Sequence, residues 1–151
     1  MFASACNDGA EGSRTYPAKF TGVISVGSCD HQGSSSRCNS LSHEGIDMGF
    51  IGEGIPPIWG RSDLKKSSKT WYQSCTSYAT PVAVAVGAFM IGYVKSRGWK
   101  DWGWKYAPWS PIGMKYTLRM MSAPTEAYRW VSPITFFKHT DADAIEILIN
   151  G

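Results

Sequence analysis

The sequence of 151 residues lacks an apolar run long enough to cross a lipid bilayer. Its longest apolar stretch, residues 81–94, would extend about 21 Å as a helix, whereas the hydrocarbon core of a bilayer is about 30 Å thick. The N-terminus also lacks the basic segment and apolar stretch of a signal peptide. We therefore expect no membrane partner, and the sequence favours a cytoplasmic location.

The sequence also lacks a large excess of charge of either sign. Lysine and arginine total 15 and aspartate and glutamate 12, which gives a net charge of +3. The basic residues are scattered, whereas a nucleic-acid-binding protein needs a continuous basic face. We therefore expect no nucleic-acid partner.

The four cysteines show no metal-site spacing, since the closest pair, Cys29 and Cys38, is nine residues apart. They are also too few to form a disulfide framework at this length. Reduced thiols in an intracellular protein are the favoured interpretation. We expect neither a metal ion nor a cofactor.

Apolar residues make up 43% of the chain, which is typical of a folded globular protein. Short runs rich in β-branched or small apolar residues predict strands at residues 2–5, 23–27 and 46–51. A further strand is expected at residues 130–137. Strands that alternate with helices indicate an α/β domain.

The clearest predicted helix comprises residues 81–95, with Pro81 in its first turn and Gly98 just after its end. Its side chains are apolar almost all round, which indicates a buried central helix. A second helix is expected at residues 112–122. Between the two lies a tryptophan-rich segment, residues 99–111, which is either a partner-binding patch or a cover over the core.

The six residues Thr76-Ser77-Tyr78-Ala79-Thr80-Pro81 lead into the apolar helix. Serine is a weak nucleophile that needs a neighbouring base and donors aimed at the developing oxyanion. The N-terminus of a helix supplies such donors and the positive end of the helix dipole. Ser77 is thus either a nucleophile or an ordinary N-cap serine.

This stretch resembles the serine motif of the subtilisin-like serine peptidases, Gly-Thr-Ser-x-Ala-Ser/Thr-Pro. Residues 2–9, Phe-Ala-Ser-Ala-Cys-Asn-Asp-Gly, resemble the family's oxyanion-hole strand, Ala-Ala-Gly/Ser-Asn-Asp/Glu-Gly, with Asn7 at the asparagine. Residues 15–20, Thr-Tyr-Pro-Ala-Lys-Phe, resemble the Tyr-Pro-Ala segment that follows it. The alternative for Asn7 is a turn residue before Asp8.

The resemblance extends over residues 2–137. Residues 114–122 and the Tyr-Arg-x-Val-x-Pro stretch at residues 128–133 resemble segments of the subtilisin-like domains of large fungal intracellular proteins, to which the chain looks most similar. It implies a three-layer α/β fold with a parallel sheet and a buried central helix after the serine, present only as its C-terminal part. Residues 1–139 would form that part, and residues 140–151 an unassigned tail.

The resemblance also implies a serine-type endopeptidase that acts on a polypeptide substrate, with Ser77 as nucleophile and Asn7 as oxyanion donor. The residues that it places around the primary specificity pocket are Ser4, Ala5 and Cys6 at the edge and Thr15 near the floor.

The family's catalytic aspartate and histidine precede the oxyanion asparagine along the chain. Here the three histidines, His31, His43 and His139, all follow Asn7, and none stands in the family's His-Gly-Thr setting. We therefore expect a missing N-terminal half of the domain to supply both residues. Alone, this chain is expected to be inactive and marginally stable, with apolar helix faces uncovered.

The serine motif departs from the family at Cys75, where glycine is usual, and Cys6 replaces a glycine or serine. A Cβ at position 75 is expected to crowd the turn or the substrate. A second hypothesis therefore stays open, a non-catalytic subtilisin-like interaction or regulatory module of a larger protein.

Overall fold

The computed structural model describes residues 1–5, 15–39, 45–55, 75–98, 107–125 and 128–138. These residues form five strands and three helices. In chain order they are β1 (Phe2–Ser4), β2 (Ile24–Cys29), β3 (Met48–Ile51), α1 (Thr76–Ser96), α2 (Pro111–Met120), β4 (Ser122–Pro124), β5 (Arg129–Val131) and α3 (Pro133–Phe137).

The strands form one sheet in the order β1-β2-β3-β5-β4. The first four run parallel, and β4 adds an antiparallel edge strand next to β5. The carboxyl ends of β1, β2 and β3 therefore share one edge of the sheet. This confirms the α/β domain that the sequence pattern predicts and the parallel sheet that the resemblance implies.

Helix α1 packs along β1, β2 and β3 by one face. Its buried residues recur every three or four positions, as expected for one face of a helix; they are Thr76, Ala79, Ala83, Gly87, Met90 and Val94. Small residues allow a close approach, since a Cβ at Gly87 would lie 3.0 Å from the Phe2 ring. The main core, which includes Ile24, Val26 and Phe50, lies between α1 and the sheet.

The opposite side of α1, here called the outer face, is exposed and apolar. Its residues are Val84, Ala85, Ala88, Phe89 and Gly92. Val84 is 48% exposed and Phe89 56%, so the helix is buried on one side only and not all round.

Helix α1 is also longer than the sequence predicts, because it begins at Thr76, five residues before Pro81. Pro81 therefore lies inside the helix, where it has no N–H to donate to the carbonyl of Ser77. By length and apolar composition alone, these 21 residues could cross a membrane, although a core helix passes the same test. The expectation that no apolar stretch is long enough to cross a bilayer therefore does not hold for α1, one face of which packs on the sheet while the other is exposed.

The remaining predictions are largely confirmed within the described residues. The strands at residues 2–5, 23–27 and 46–51 correspond to β1, β2 and β3, and the second helix corresponds to α2. The strand predicted at residues 130–137 is wrong in its second half, because Pro133 begins α3. Residues 139–151, and the tryptophans at positions 99, 102 and 104, lie outside the described residues.

Candidate active site

The serine turn, residues 75–77, is attached to the carboxyl edge of the sheet. The backbone N–H of Cys75 donates to the carbonyl of Gly52 at 2.9 Å, one residue past the end of β3. The N–H of Gly52 in turn donates to the carbonyl of Cys29 at 3.0 Å, at the end of β2. Open α/β sheets bind their ligands beyond this edge, so Ser77 lies where a substrate site is expected.

Ser77 is the second residue of α1 and is exposed. The N-cap position belongs to Cys75, whose side chain makes no capping hydrogen bond. The carbonyl of Cys75 accepts from the N–H groups of Tyr78 at 2.9 Å and Ala79 at 3.2 Å. The interpretation of Ser77 as an ordinary N-cap serine is therefore wrong.

The first turn of α1 contains no acidic residue. The positive end of the helix dipole is consequently not offset by a carboxylate of that turn. This dipole would stabilise a developing negative charge near Ser77. Acyl transfer through an oxyanion requires such stabilisation.

Strand β1 is joined to the serine turn by side chains. The hydroxyls of Ser4 and Thr76 are hydrogen-bonded at 2.5 Å, although the two residues are 72 positions apart. Thr76 is fully buried. Ser4, predicted at the edge of the specificity pocket, thus contacts the residue directly before Ser77.

Two other predicted pocket residues lie next to Ser4. The N–H of Ala5 donates to the carbonyl of Val26 at 3.0 Å, which extends the pairing of β1 with β2. The carbonyl of Ala5 accepts from the N–H of Thr15 at 3.4 Å. Thr15 is exposed. Cys6 and Asn7 lie outside the described residues, so their predicted roles stay predictions.

The loop after β2 folds back onto that strand. The side-chain oxygen of Asn39 accepts from the N–H of Ser28 at 2.8 Å, and its amide donates to the carbonyl of Ser28 at 2.6 Å. The hydroxyls of Ser36 and Ser28 are 2.8 Å apart. Cys38 is thereby held beside the serine turn, a proximity that no local pattern in the sequence indicates.

The thiol of Cys38 is hydrogen-bonded to the thiol of Cys75 and to the backbone N–H of Thr76. Burial, followed by the contact with Cys75, raises the pKa of Cys38 to about 12. Cys38 is therefore a protonated thiol near neutral pH.

Among the histidines, only His31 lies in the described part of the chain, exposed in the turn after β2. In that same part, no three histidine, cysteine, aspartate or glutamate side chains lie together as a metal site would need.

Substitution of Gly52 tests the attachment of the serine turn to the sheet edge. A Cβ there would lie 2.5 Å from the Ser28 hydroxyl and 2.8 Å from the carbonyl oxygen of Cys75. We expect Gly52→Ala to lower the free energy of unfolding by about 1–3 kcal/mol, because backbone has to move. Gly92→Ala is the control: a Cβ there meets nothing within 4 Å, so a gain of about 0.5–1 kcal/mol is expected. Equal urea midpoints for both variants would contradict the contact geometry.

Comparison with known proteins agrees with this geometry. The family model Peptidase_S8, described as the subtilase family, matches residues 1–131. A search of curated proteins found no match.

Solved structures with similar folds include several proteases. The prenylagaramide maturation protease PagA has a TM-score of 0.63 at 24% identity, over 99% of this chain and 50% of that one. The self-cleaved protease domain of PatA has a TM-score of 0.65 at 21% identity, over 98% and 49%. A cold-adapted subtilisin-like serine proteinase has a TM-score of 0.59 at 20% identity, over 85% and 42%.

At these identities the likeness shows the fold alone, and the chain spans at most about half the length of these structures. The nearness to fungal intracellular domains stays a prediction. The family match, in contrast, covers most of the chain and includes both β1 and the serine turn. The chain therefore belongs to the subtilase family of serine peptidases.

Proposed function

We propose that this chain is the C-terminal part of a subtilisin-like serine endopeptidase domain in which Ser77 is the nucleophile. The observation that carries the proposal is the placement of Ser77 in the first turn of α1, at the carboxyl edge of a parallel sheet. The hydrogen bond between the hydroxyls of Ser4 and Thr76 supports the proposal, because it joins strand β1 to the residue before Ser77.

The chemistry follows from these positions. A base takes the proton from the Ser77 hydroxyl while its oxygen attacks the carbonyl carbon of the substrate peptide bond. The resulting oxyanion is stabilised by the side-chain amide of Asn7 and by the dipole of α1. The tetrahedral intermediate collapses to an acyl-enzyme as the base gives its proton to the leaving amine, and water then releases the acid.

The base and its aspartate are proposed to come from a polypeptide segment outside this sequence. Two observations support this. The matched protease structures are about twice as long as the stretch they share with this chain. The outer face of α1 is apolar and exposed, as the buried face of an incomplete domain would be.

The proposed substrate is a polypeptide. Ser4, Ala5, Cys6 and Thr15 would border the pocket for the side chain that precedes the scissile bond. Among the similar structures are maturation proteases named for prenylagaramide and patellamide, and a macrocyclase in complex with a peptide. Such neighbours support a peptide substrate for this chain.

The direct test is to read the coding sequence upstream of Met1 and to express the longer chain. An upstream Asp-Ser/Thr-Gly strand and His-Gly-Thr helix are expected. The longer chain should hydrolyse unstructured polypeptides, and Ser77→Ala should abolish this activity. Hydrolysis that persists in Ser77→Ala would exclude Ser77 as the nucleophile.

Asn7 has a separate prediction. In the longer chain, Asn7→Ala should lower kcat by about 10²–10³-fold with little change in KM, because an oxyanion donor acts in the transition state. Steady-state kinetics on a peptide substrate measure the separate effects on kcat and KM, with Asn150→Ala in the unassigned tail as control. A raised KM with unchanged kcat would instead assign Asn7 to substrate binding.

The second candidate function is a non-catalytic interaction module. It is favoured by Cys75, which places a side chain where the family has glycine, and by the exposed aromatic rings of Phe89 and Phe137. Under this hypothesis, the upstream sequence would lack the His-Gly-Thr helix, and the longer chain would bind polypeptides without cleaving them.

A further inference from the structure

Cys38 and Cys75 form a pair of thiols at the start of α1. Both are partly accessible to solvent, and their side chains are hydrogen-bonded to each other. Cys75 is the N-cap residue of the helix, two positions before Ser77. The two cysteines are 37 residues apart, so the tertiary fold brings them together.

The sheet explains this proximity independently of the thiols. Cys38 lies in the loop that Asn39 and Ser36 attach to Ser28, near the end of β2. Cys75 is attached to Gly52, just past the end of β3. Strands β2 and β3 are parallel neighbours, with Cys29 paired to Ile51 at their carboxyl ends. Both cysteines are thus anchored at adjacent points of one sheet edge.

We propose that Cys38 and Cys75 are a redox modification site, a dithiol that forms a reversible disulfide and ties the loop after β2 to the serine turn. The partner reagent is a small-molecule disulfide of the glutathione class. The proposal concerns the thiols alone and does not depend on whether Ser77 is catalytic.

The exchange has two steps. In the first step, the sulfur of one of the two cysteines attacks one sulfur of the small disulfide; a mixed disulfide forms, the original S–S bond breaks, and one small thiol leaves with the proton of that cysteine. In the second step, the sulfur of the other cysteine attacks the sulfur of the first; the protein disulfide forms and the second small thiol leaves with the remaining proton. Two protein thiols are oxidised and one small disulfide is reduced to two thiols.

Either thiol can make the first attack, because both are partly accessible to solvent. In the resolving step, the remaining thiol attacks the sulfur of a neighbour with which it is already in contact.

Cys29 is the internal control. It is fully buried, and burial together with the charges of Asp30 and Glu53 raises its pKa to about 12. In an unfolded chain, loop-closure entropy favours a bond between Cys29 and Cys38, nine residues apart, over one between Cys38 and Cys75. The folded chain should show the opposite preference.

The experiment incubates the full chain with mixtures of reduced and oxidised glutathione, in native buffer and in urea, followed by acid quench and tryptic mass mapping. The four cysteines fall in different tryptic peptides, residues 1–14, 20–37, 38–61 and 70–95. In native buffer, we expect the loss of two hydrogens and a single cross-link between peptides 38–61 and 70–95. In urea, we expect mixed pairings that include Cys29 with Cys38.

Single variants test the two-step exchange. Cys38→Ser should accumulate glutathione on Cys75, and Cys75→Ser should accumulate it on Cys38, because each variant lacks the resolving thiol. Cys29→Ser should keep the native cross-link. The proposal is overturned if native buffer gives the urea pairings, if both thiols stay reduced under oxidising mixtures, or if Cys29→Ser abolishes the native cross-link.

Discussion

Fluorophosphonate labelling of this chain alone is expected to give no signal that depends on Ser77. The reagent reports an activated serine, and activation needs a base within hydrogen-bond reach of the hydroxyl. Loss of the base from a serine peptidase site costs about six orders of magnitude in turnover, far more than the helix dipole can restore. The chain and its Ser77→Ala variant should therefore be indistinguishable on a labelled gel.

The same reagent should label the longer chain strongly, and Ser77→Ala should remove that label. This pair of measurements distinguishes an intact nucleophile without a base from a degenerate site. If the longer chain contains the His-Gly-Thr helix and Ser77 still does not react, the crowding expected from Cys75 becomes the explanation. Cys75→Gly would then be expected to restore labelling.

Ser77-dependent labelling of the isolated chain would contradict the prediction. It would mean that a histidine of this chain serves as the base. His31, His43 and His139 are the three available, and substitution of each by alanine would identify it.

The strands and the family could be predicted because their signals are local. Short runs of apolar or β-branched residues predict β1, β2 and β3 within a few positions, and the serine and asparagine motifs indicate the family. The predicted start of α1 differs from the observed one because Pro81 is typical of a first helical turn. The bond from Cys75 to Gly52 allows the helix to begin at Thr76 instead.

The contacts that build the candidate site could not be predicted, since they join distant parts of the chain. No local pattern connects Ser4 with Thr76 across 72 residues, or Cys38 with Cys75 across 37. The exposure of one side of α1 could not be predicted either. A helix that is apolar all round is predicted to be buried, and its periodicity does not show whether the segment that would cover it belongs to the same sequence.

The outer face of α1 gives the second prediction with a large expected effect. Val84, one of its residues, is 48% exposed, so Val84→Lys should leave the isolated chain folded and reduce its binding of hydrophobic dyes. Lysine also has a higher helix propensity than valine. In the longer chain, the same substitution would bury an unpaired charge, which costs several kcal/mol. We therefore expect loss of folding, measured by thermal unfolding, and loss of Ser77 labelling.

Ser96→Lys is the matched control, because it adds the same charge to the same helix at its exposed C-terminal end, where the dipole favours a cation. It should leave both the isolated and the longer chain unaffected. A longer chain that tolerates Val84→Lys as well as Ser96→Lys would show that nothing covers the outer face. The proposed N-terminal half would then have to supply its base without packing on α1. Such an arrangement would leave the apolar outer face of α1 exposed in the complete domain, which contradicts the proposal that this half covers it.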